Sequence, residues 1–196
     1  MNRILFTLSL EMGIMIHSIN GGSLRNAIPR ESQCLFGLHA DSANDLHKSF
    51  DQIKNQIIQE YKSLECKLTI DLKEVDNPGT AIDPIDEIRM LKAIYAAPNG
   101  VFRMSPEIQD LVEASNNIAR VDVENGEAKV LCLSRSSVES SKTDVVNAIT
   151  SAFELGGFEV EATGGYPGWA PNPDSAILAI ASQVYEKLNE SKPNVV

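Results

Sequence analysis

The sequence predicts an α+β fold: a two-layer sandwich in which helices cover one face of a mainly antiparallel sheet, built from ferredoxin-like β-β-α-β units. Three observations predict it. Apolar residues recur at steps of three and four over residues 42–64 and over several shorter stretches, the spacing of helices with one buried stripe. Elsewhere apolar and polar residues alternate, the pattern of strands with one dry and one wet face. The two patterns also succeed one another as strand, strand, helix, strand, twice along the chain, although no residue-level repeat accompanies that order.

The first residues are apolar, from Ile4 to Leu10, and read as a helix with no cap before it. Glu11 interrupts the run and no small-residue cleavage site follows, so it is not a signal peptide. It also falls short of the roughly 18 apolar residues of a membrane span, and no membrane partner is expected. A strand-like stretch follows around Met15, Ile16 and His17, and another through Cys34, Phe36 and Leu38. Between them lies GGSLRNAIPRES, residues 21–32, whose two glycines and two arginines suit either a loop that grips an anion or a connection between strands. In the second role Asn26 braces the turn through side-chain-to-backbone hydrogen bonds and Pro29 enters the next strand.

The long helix over 42–64 carries Leu46, Phe50, Ile53, Ile57, Tyr61 and Leu64 on one stripe. Cys66, Leu68, Ile70 and Leu72 then alternate with polar residues as a strand. Asp83-Pro84 starts a helix, a capping carboxylate followed by proline at the first helical position, with Ile88, Leu91 and Tyr95 inward. Asp86 and Glu87 in its first turn suit the helix dipole and need no catalytic explanation. Asn125-Gly126 predicts a hairpin between strands around Val121 to Val123 and Val130 to Cys132. A helix over 142–155 buries Val145, Ile149, Ala152 and Phe153 and ends at Gly156-Gly157. Phe158, Val160 and Ala162 alternate as a further strand. A last helix from Asp174 aligns Ile177, Ala181, Val184 and Leu188, and a new strand is expected to open at Ser191. Beginning in an uncapped apolar run and stopping at that point, the sequence reads as a piece of a longer protein.

Composition narrows the function. The net charge is −10 over 196 residues, with no run of Lys or Arg, which argues against nucleic acid as a partner. Cys34, Cys66 and Cys132 are odd in number, far apart and set in apolar stretches, as buried reduced thiols of a cytosolic protein would be. There is no GxGxxG after a strand, no Walker loop, no GxSxG and no CxxC. His17, His39 and His47 do not have the spacing of convergent metal ligands, and no metal site is expected in this chain. Three polar stretches are left over: residues 21–32, 113–119 and 133–139. In the last, Arg135 sits beside three serines. It is either a fork that takes a carboxylate through two parallel hydrogen bonds, or a surface arginine in a helix-capping loop with Ser137 or Ser140 as the cap.

Four stretches together, GGSLRNAIPRES, PNGVFRMSPEIQDLVEASNNIARV, SRSSVESSKTDVVNAI and GGYPGWAPNPDSAIL, resemble the aminoacyl-histidine dipeptidases, or cytosol non-specific dipeptidases, in order and spacing over nearly the whole chain. The resemblance implies a catalytic domain that holds two zinc ions and a smaller α+β lid inserted into it, which mediates dimerisation in relatives. Residues 1–164 would be the lid and 165–196 the return to the catalytic domain. Gly164, Gly165 and Gly168 would serve as a hinge at the crossing. The zinc ligands and the general-base glutamate would lie outside this chain. His17, His39 and His47 do not match the family's substrate-contacting histidine motif. The resemblance carries two roles onto this chain. Asn117 would contact substrate near the scissile carbonyl, in a stretch that matches the family's only imperfectly, and Arg135 would hold the substrate's C-terminal carboxylate. The implied partners are a dipeptide, the remainder of the same protein and a second lid. The chain alone would hydrolyse nothing. The alternative is a free-standing ferredoxin-like module for binding or dimerisation.

Overall fold

In a computed structural model that describes residues 1–75, 79–172 and 174–193, the chain forms five α-helices and five strands in an α+β sandwich. Helix α1 (Asn2–Met12) buries Ile4, Leu5 and Leu8 and stops at Gly13, whose φ of 63° suits glycine and whose N–H returns to the Ser9 carbonyl. Strands β1 (Met15–Gly22) and β2 (Ser32–Gly37) pair antiparallel, and α2 (Ala43–Tyr61) follows. Helix α3 (Pro84–Ala96) starts as its sequence demands, with the Asp83 carboxylate accepting from the N–H groups of Ile85 and Asp86. Then come β3 (Gly100–Met104), β4 (Val112–Glu124), β5 (Glu127–Ser136), α4 (Glu139–Leu155) and α5 (Ala176–Asn189). The Asn-Gly turn joins β4 to β5 with positive φ at both residues, 54° and 82°, which the two-residue hairpin requires.

The sheet is organised around β4. One edge of β4 pairs with β5 from Ala114 to Glu124. Its other edge is shared end to end: β1 pairs with residues 120–123 and β3 with residues 112–116. Between the two, neither strand accompanies residues 117–119. Side chains serve the backbone there: the Asn99 Oδ1 accepts from the Ile118 N–H at 2.8 Å, and Asn116 donates to the Pro98 carbonyl at 2.7 Å. Gly22, the last residue of β1, lies so close to this junction that a Cβ on it would fall 1.9 Å from the Ala119 carbonyl oxygen.

Two apolar cores lie between sheet and helices. One joins α1, α2 and α3 to β1 and Val123; the other joins the end of α3 to α4 through Val145, Ile149 and Phe153. Ile94 and Phe158 pack against both. Glu87, fully buried on α3, ties the first core together: it accepts from the Ser9 hydroxyl and from the Ile16 N–H, each at 2.8 Å.

Several expectations change. Residues 66–72 and 158–163 belong to no sheet, and 66 and 67 lie in a turn that the Leu68 N–H closes on the Glu65 carbonyl. Their alternation reflects one-sided burial, since Ile70, Leu72, Phe158 and Val160 do turn toward the cores while the residues between them are exposed. Strand β3 was not anticipated; its five residues are too few to show a period. The inward face of α3 centres on Glu87, Met90 and Leu91, not on Ile88 and Tyr95, and Tyr95 instead meets Phe6 edge-on at 5.2 Å. Glu87 is therefore a buried acceptor, not a dipole-facing surface charge. The stripe of α2 runs out at its end, where Tyr61 is half-exposed and Leu64, beyond the helix, is exposed. Helix α5 has its apolar stripe, but Ile177, Val184 and Leu188 are exposed and none of its residues is buried. Cys66 is exposed, and Cys34 and Cys132 are only partly buried; all three are free thiols. The strand expected from Ser191 falls mostly on residues 194–196, outside the described residues. No helix among those described is long and apolar enough to cross a membrane.

Candidate functional site

The register of β4 and β5 decides which side chains share a face. Ile118, Val130 and Cys132 pack against the α4 core, so Ser115, Asn117, Leu133 and Arg135, which alternate with them, stand on the opposite face. Ser115 pairs with Arg135 and Asn117 with Leu133, which makes Asn117 and Arg135 diagonal neighbours, about 7–8 Å apart by strand geometry. The two predicted site residues thus come together on one rim of the helix-free face.

Arg135 lies within β5, not in a capping loop; the residue before α4 is Val138, whose N–H is taken by the Ser136 hydroxyl. Arg3, Arg89, Arg103 and Arg120 each stand against a carboxylate, of Glu60, Asp86, Glu113 and Asp122. Arg25, Arg30 and Arg135 face none among the described residues. An exposed guanidinium without an internal partner, on a protein of net charge −10, is a ready carboxylate fork.

Asn117 is committed differently. Its amide nitrogen donates to the Arg25 carbonyl at 3.3 Å and to the Ala27 carbonyl at 2.8 Å, ninety and more residues away. These belong to the β1–β2 connection, where the Ala27 N–H closes a turn on the Leu24 carbonyl at 3.0 Å. Arg25 and Asn26 are the central residues of that turn, and both are exposed. The expected bracing by Asn26 is not what is found: its side chain has no hydrogen bond among the described residues, and Asn117 is the brace. Pro29 is exposed and precedes β2 by three residues, so it does not enter the strand directly.

The glycines after residue 163 divide into two kinds. Gly164, with φ of 69°, and Gly165 have open space where a Cβ would be. Gly168 is packed: a Cβ there would fall 2.5 Å from the Ser136 carbonyl oxygen, next to Arg135 in sequence. The Lys142 ammonium reinforces that contact by donating to the Tyr166 carbonyl at 2.6 Å while pairing with Glu139, whose carboxyl it holds below the ordinary range. Gly168 is therefore a docking point of the segment onto the start of α4. Beside it a cavity of about 160 Å³ is lined by Ser105, Glu107, Glu113, Ser137, Ala170 and Pro171. Glu113 is buried there, taking the Ser141 hydroxyl at 2.5 Å and facing Arg103 at 3.3 Å.

Among the described residues no group of three His, Cys, Asp or Glu is placed to hold a metal ion, so these side chains do not fit a zinc centre. Burial is the main cause that pushes the Cys34 thiol up to about 12, and burial also raises Cys132; neither is a nucleophile or ligand at neutral pH. Sequence reasoning missed Asn99, Asn116 and Glu87. Their roles depend on partners 18 to 78 residues away, which no local pattern encodes.

No family model matches the chain. It is 31% identical over 185 residues to the cytosol non-specific dipeptidase of Escherichia coli (strain K12), a match that covers 94% of this chain and 38% of that protein. Its fold superposes on the crystal structure of aminoacylhistidine dipeptidase from Vibrio alginolyticus with a TM-score of 0.93 and 35% identity, over all of this chain and 40% of that one. The chain thus spans about two fifths of the length of each of these relatives.

Proposed function

We propose that this chain, related in sequence and fold to the aminoacyl-histidine dipeptidases, is the lid of such an enzyme together with the first part of its return to a catalytic domain. The lid is residues 1–164 and the returning segment 165–196. The parent protein hydrolyses dipeptides in the cytoplasm, and the chain alone is inactive. The two zinc ions that the family resemblance implies are held by residues outside this chain. What the chain contributes is recognition of one end of the substrate, exclusion of bulk water on closure, and a surface for pairing with a second lid.

The observation that carries this reading is the exposed Arg135 on the helix-free face, without a carboxylate partner among the described residues, in a chain whose whole length matches 40% of a dipeptidase. Arg135 takes the C-terminal carboxylate of the dipeptide by a two-bonded fork, and Asn117 belongs to the same rim. A dipeptide so held has its scissile bond at a fixed distance from the carboxylate, which orients it for attack and rejects longer peptides, whose chain would continue through the position of the fork. Pivoting at Gly164 and Gly165, where the space a Cβ would fill is open, suits the crossing between domains.

The test uses the full-length protein. Arg135→Ala should raise KM for free dipeptides about tenfold or more, the worth of one charge-assisted pair, with Arg135→Lys intermediate. Dipeptides whose C-terminus is an amide should be cleaved equally by variant and parent. If amides and free acids lose activity alike, Arg135 does not read the carboxylate.

A further inference from the structure

We propose that Asn117 is a positioning residue, which serves the substrate site by clamping the turn over residues 24–27 and not by presenting its own amide. The inference rests on the reading of this face as the substrate-end site. An asparagine side chain has two N–H donors. Both are accounted for, by the carbonyls of Arg25 and Ala27. The bonds straddle Asn26 and so fix the orientation of the turn's two central residues relative to β4.

The connection has little else to hold it. Eight of residues 23–31 are exposed, Ala27 alone being half-buried, and its two large apolar residues, Leu24 and Ile28, are 66% and 81% exposed. Within the connection the one internal turn bond runs from the Ala27 N–H to the Leu24 carbonyl, and the Gly22 N–H to the Glu31 carbonyl closes its base. Without Asn117 those bonds would leave the turn free to swing about its base. The position of Asn117 explains why it can reach. It falls in the gap where β1 has left β4 and β3 has not begun, so no strand stands between its side chain and the connection. An aspartate there would set acceptor against acceptor, and alanine would leave both carbonyls to water.

Two readouts on the full-length protein test this. Trypsin cleaves after Arg25 only when the turn opens, so in Asn117→Ala the cut at Arg25 should appear about tenfold faster, with cuts outside residues 23–31 unchanged. An unchanged rate at Arg25 would overturn the clamp, whatever happens to activity. Dipeptide hydrolysis by Asn26→Ala, Asn117→Ala and the double variant then separates the roles. If Asn117 serves the site by holding the turn's exposed Asn26 toward the substrate, its loss should cost little more once Asn26 is gone, so the double variant should match Asn26→Ala within about threefold. Asn117→Ala combined with Arg135→Ala should instead multiply its losses. Losses that multiply with Asn26→Ala as well, or an Asn117→Ala enzyme with unchanged kcat/KM, would sink the proposal. A full-length protein that loosens at Arg25 as expected, yet cleaves no dipeptide, would overturn the functional reading and the ligand half of this one while leaving the clamp in place.

Discussion

Glu87 shows what a single side chain does in this fold. It brings a carboxylate into the first core, where the Ser9 hydroxyl and the Ile16 N–H consume its oxygens and so hold α1 and β1 against α3. Glu87→Ala leaves an N–H without a partner in a dry core and should lower unfolding free energy by about 2–3 kcal/mol, measured by urea denaturation. Glu87→Gln, which keeps one acceptor, should lose less. Cys34 sits near the same core. Its thiol ionises near 9 in an unfolded chain but near 12 when buried, so the folded state keeps its proton while the unfolded state gives it up. Stability from this group is therefore full below pH 9 and declines as pH rises toward 12, a slope that Cys34→Ala should remove. At neutral pH a thiol-alkylating probe should label the exposed Cys66 first. The sequence showed that Asn117 and Arg135 stood out from folding requirements. It could not show that Asn117 turns toward residues 25–27, because nothing local to either stretch depends on the other.

Among the elements, those with strong local signals appear where their residues place them. Asp83-Pro84 starts α3, Asn125-Gly126 turns the hairpin, and Val145, Ile149 and Phe153 face inward from α4. The stretches 66–72 and 158–163 looked equally strand-like. A period of two reports that one side is dry, and Ile70, Leu72, Phe158 and Val160 obey it while Cys66, Leu68 and Ala162 stay exposed, but pairing needs a neighbouring backbone that the period does not encode. Two glycines mark where elements meet too closely for any other residue. Gly22→Ala would drive a methyl group into the Ala119 carbonyl at a φ of 83°, and should separate the end of β1 from β4. The expected result is a destabilised protein whose amides at residues 120–123 exchange faster than those paired to β5 alone. Gly168→Ala strikes the Ser136 carbonyl in the same way and should detach the 165–172 segment from α4, read as faster proteolysis within that segment.

For the molecule as a whole, the apolar stripe of α5 is uncovered among the described residues and Trp169, in the segment before it, is 89% exposed; on the proposed reading both pack against the catalytic domain. In the full-length protein Ile177→Asp or Leu188→Asp should destabilise, by about 2 kcal/mol or more if the side chain is buried there, while in the present chain the same changes should cost almost nothing. The present chain should show no dipeptidase activity and should retain no zinc after dialysis. Fold class was legible because burial periodicity is a local property of helices and strands. The way one strand serves two neighbours was not, since it is a choice among pairings that all satisfy the same periods.

The end-to-end meeting of β1 and β3 along β4 is a seam. No backbone ladder joins β1 to β3 there; β5 runs past the gap along the other edge of β4, Asn99 and Asn116 tie β4 to the residues just before β3, and Asn117 reaches across to the β1–β2 connection. A pull applied to the connection over residues 23–31 would reach β4 through Asn117, at the stretch that β5 accompanies on one edge and neither β1 nor β3 on the other. Its first losses would be side-chain hydrogen bonds, while the β1–β4 and β4–β5 rungs to either side stay made.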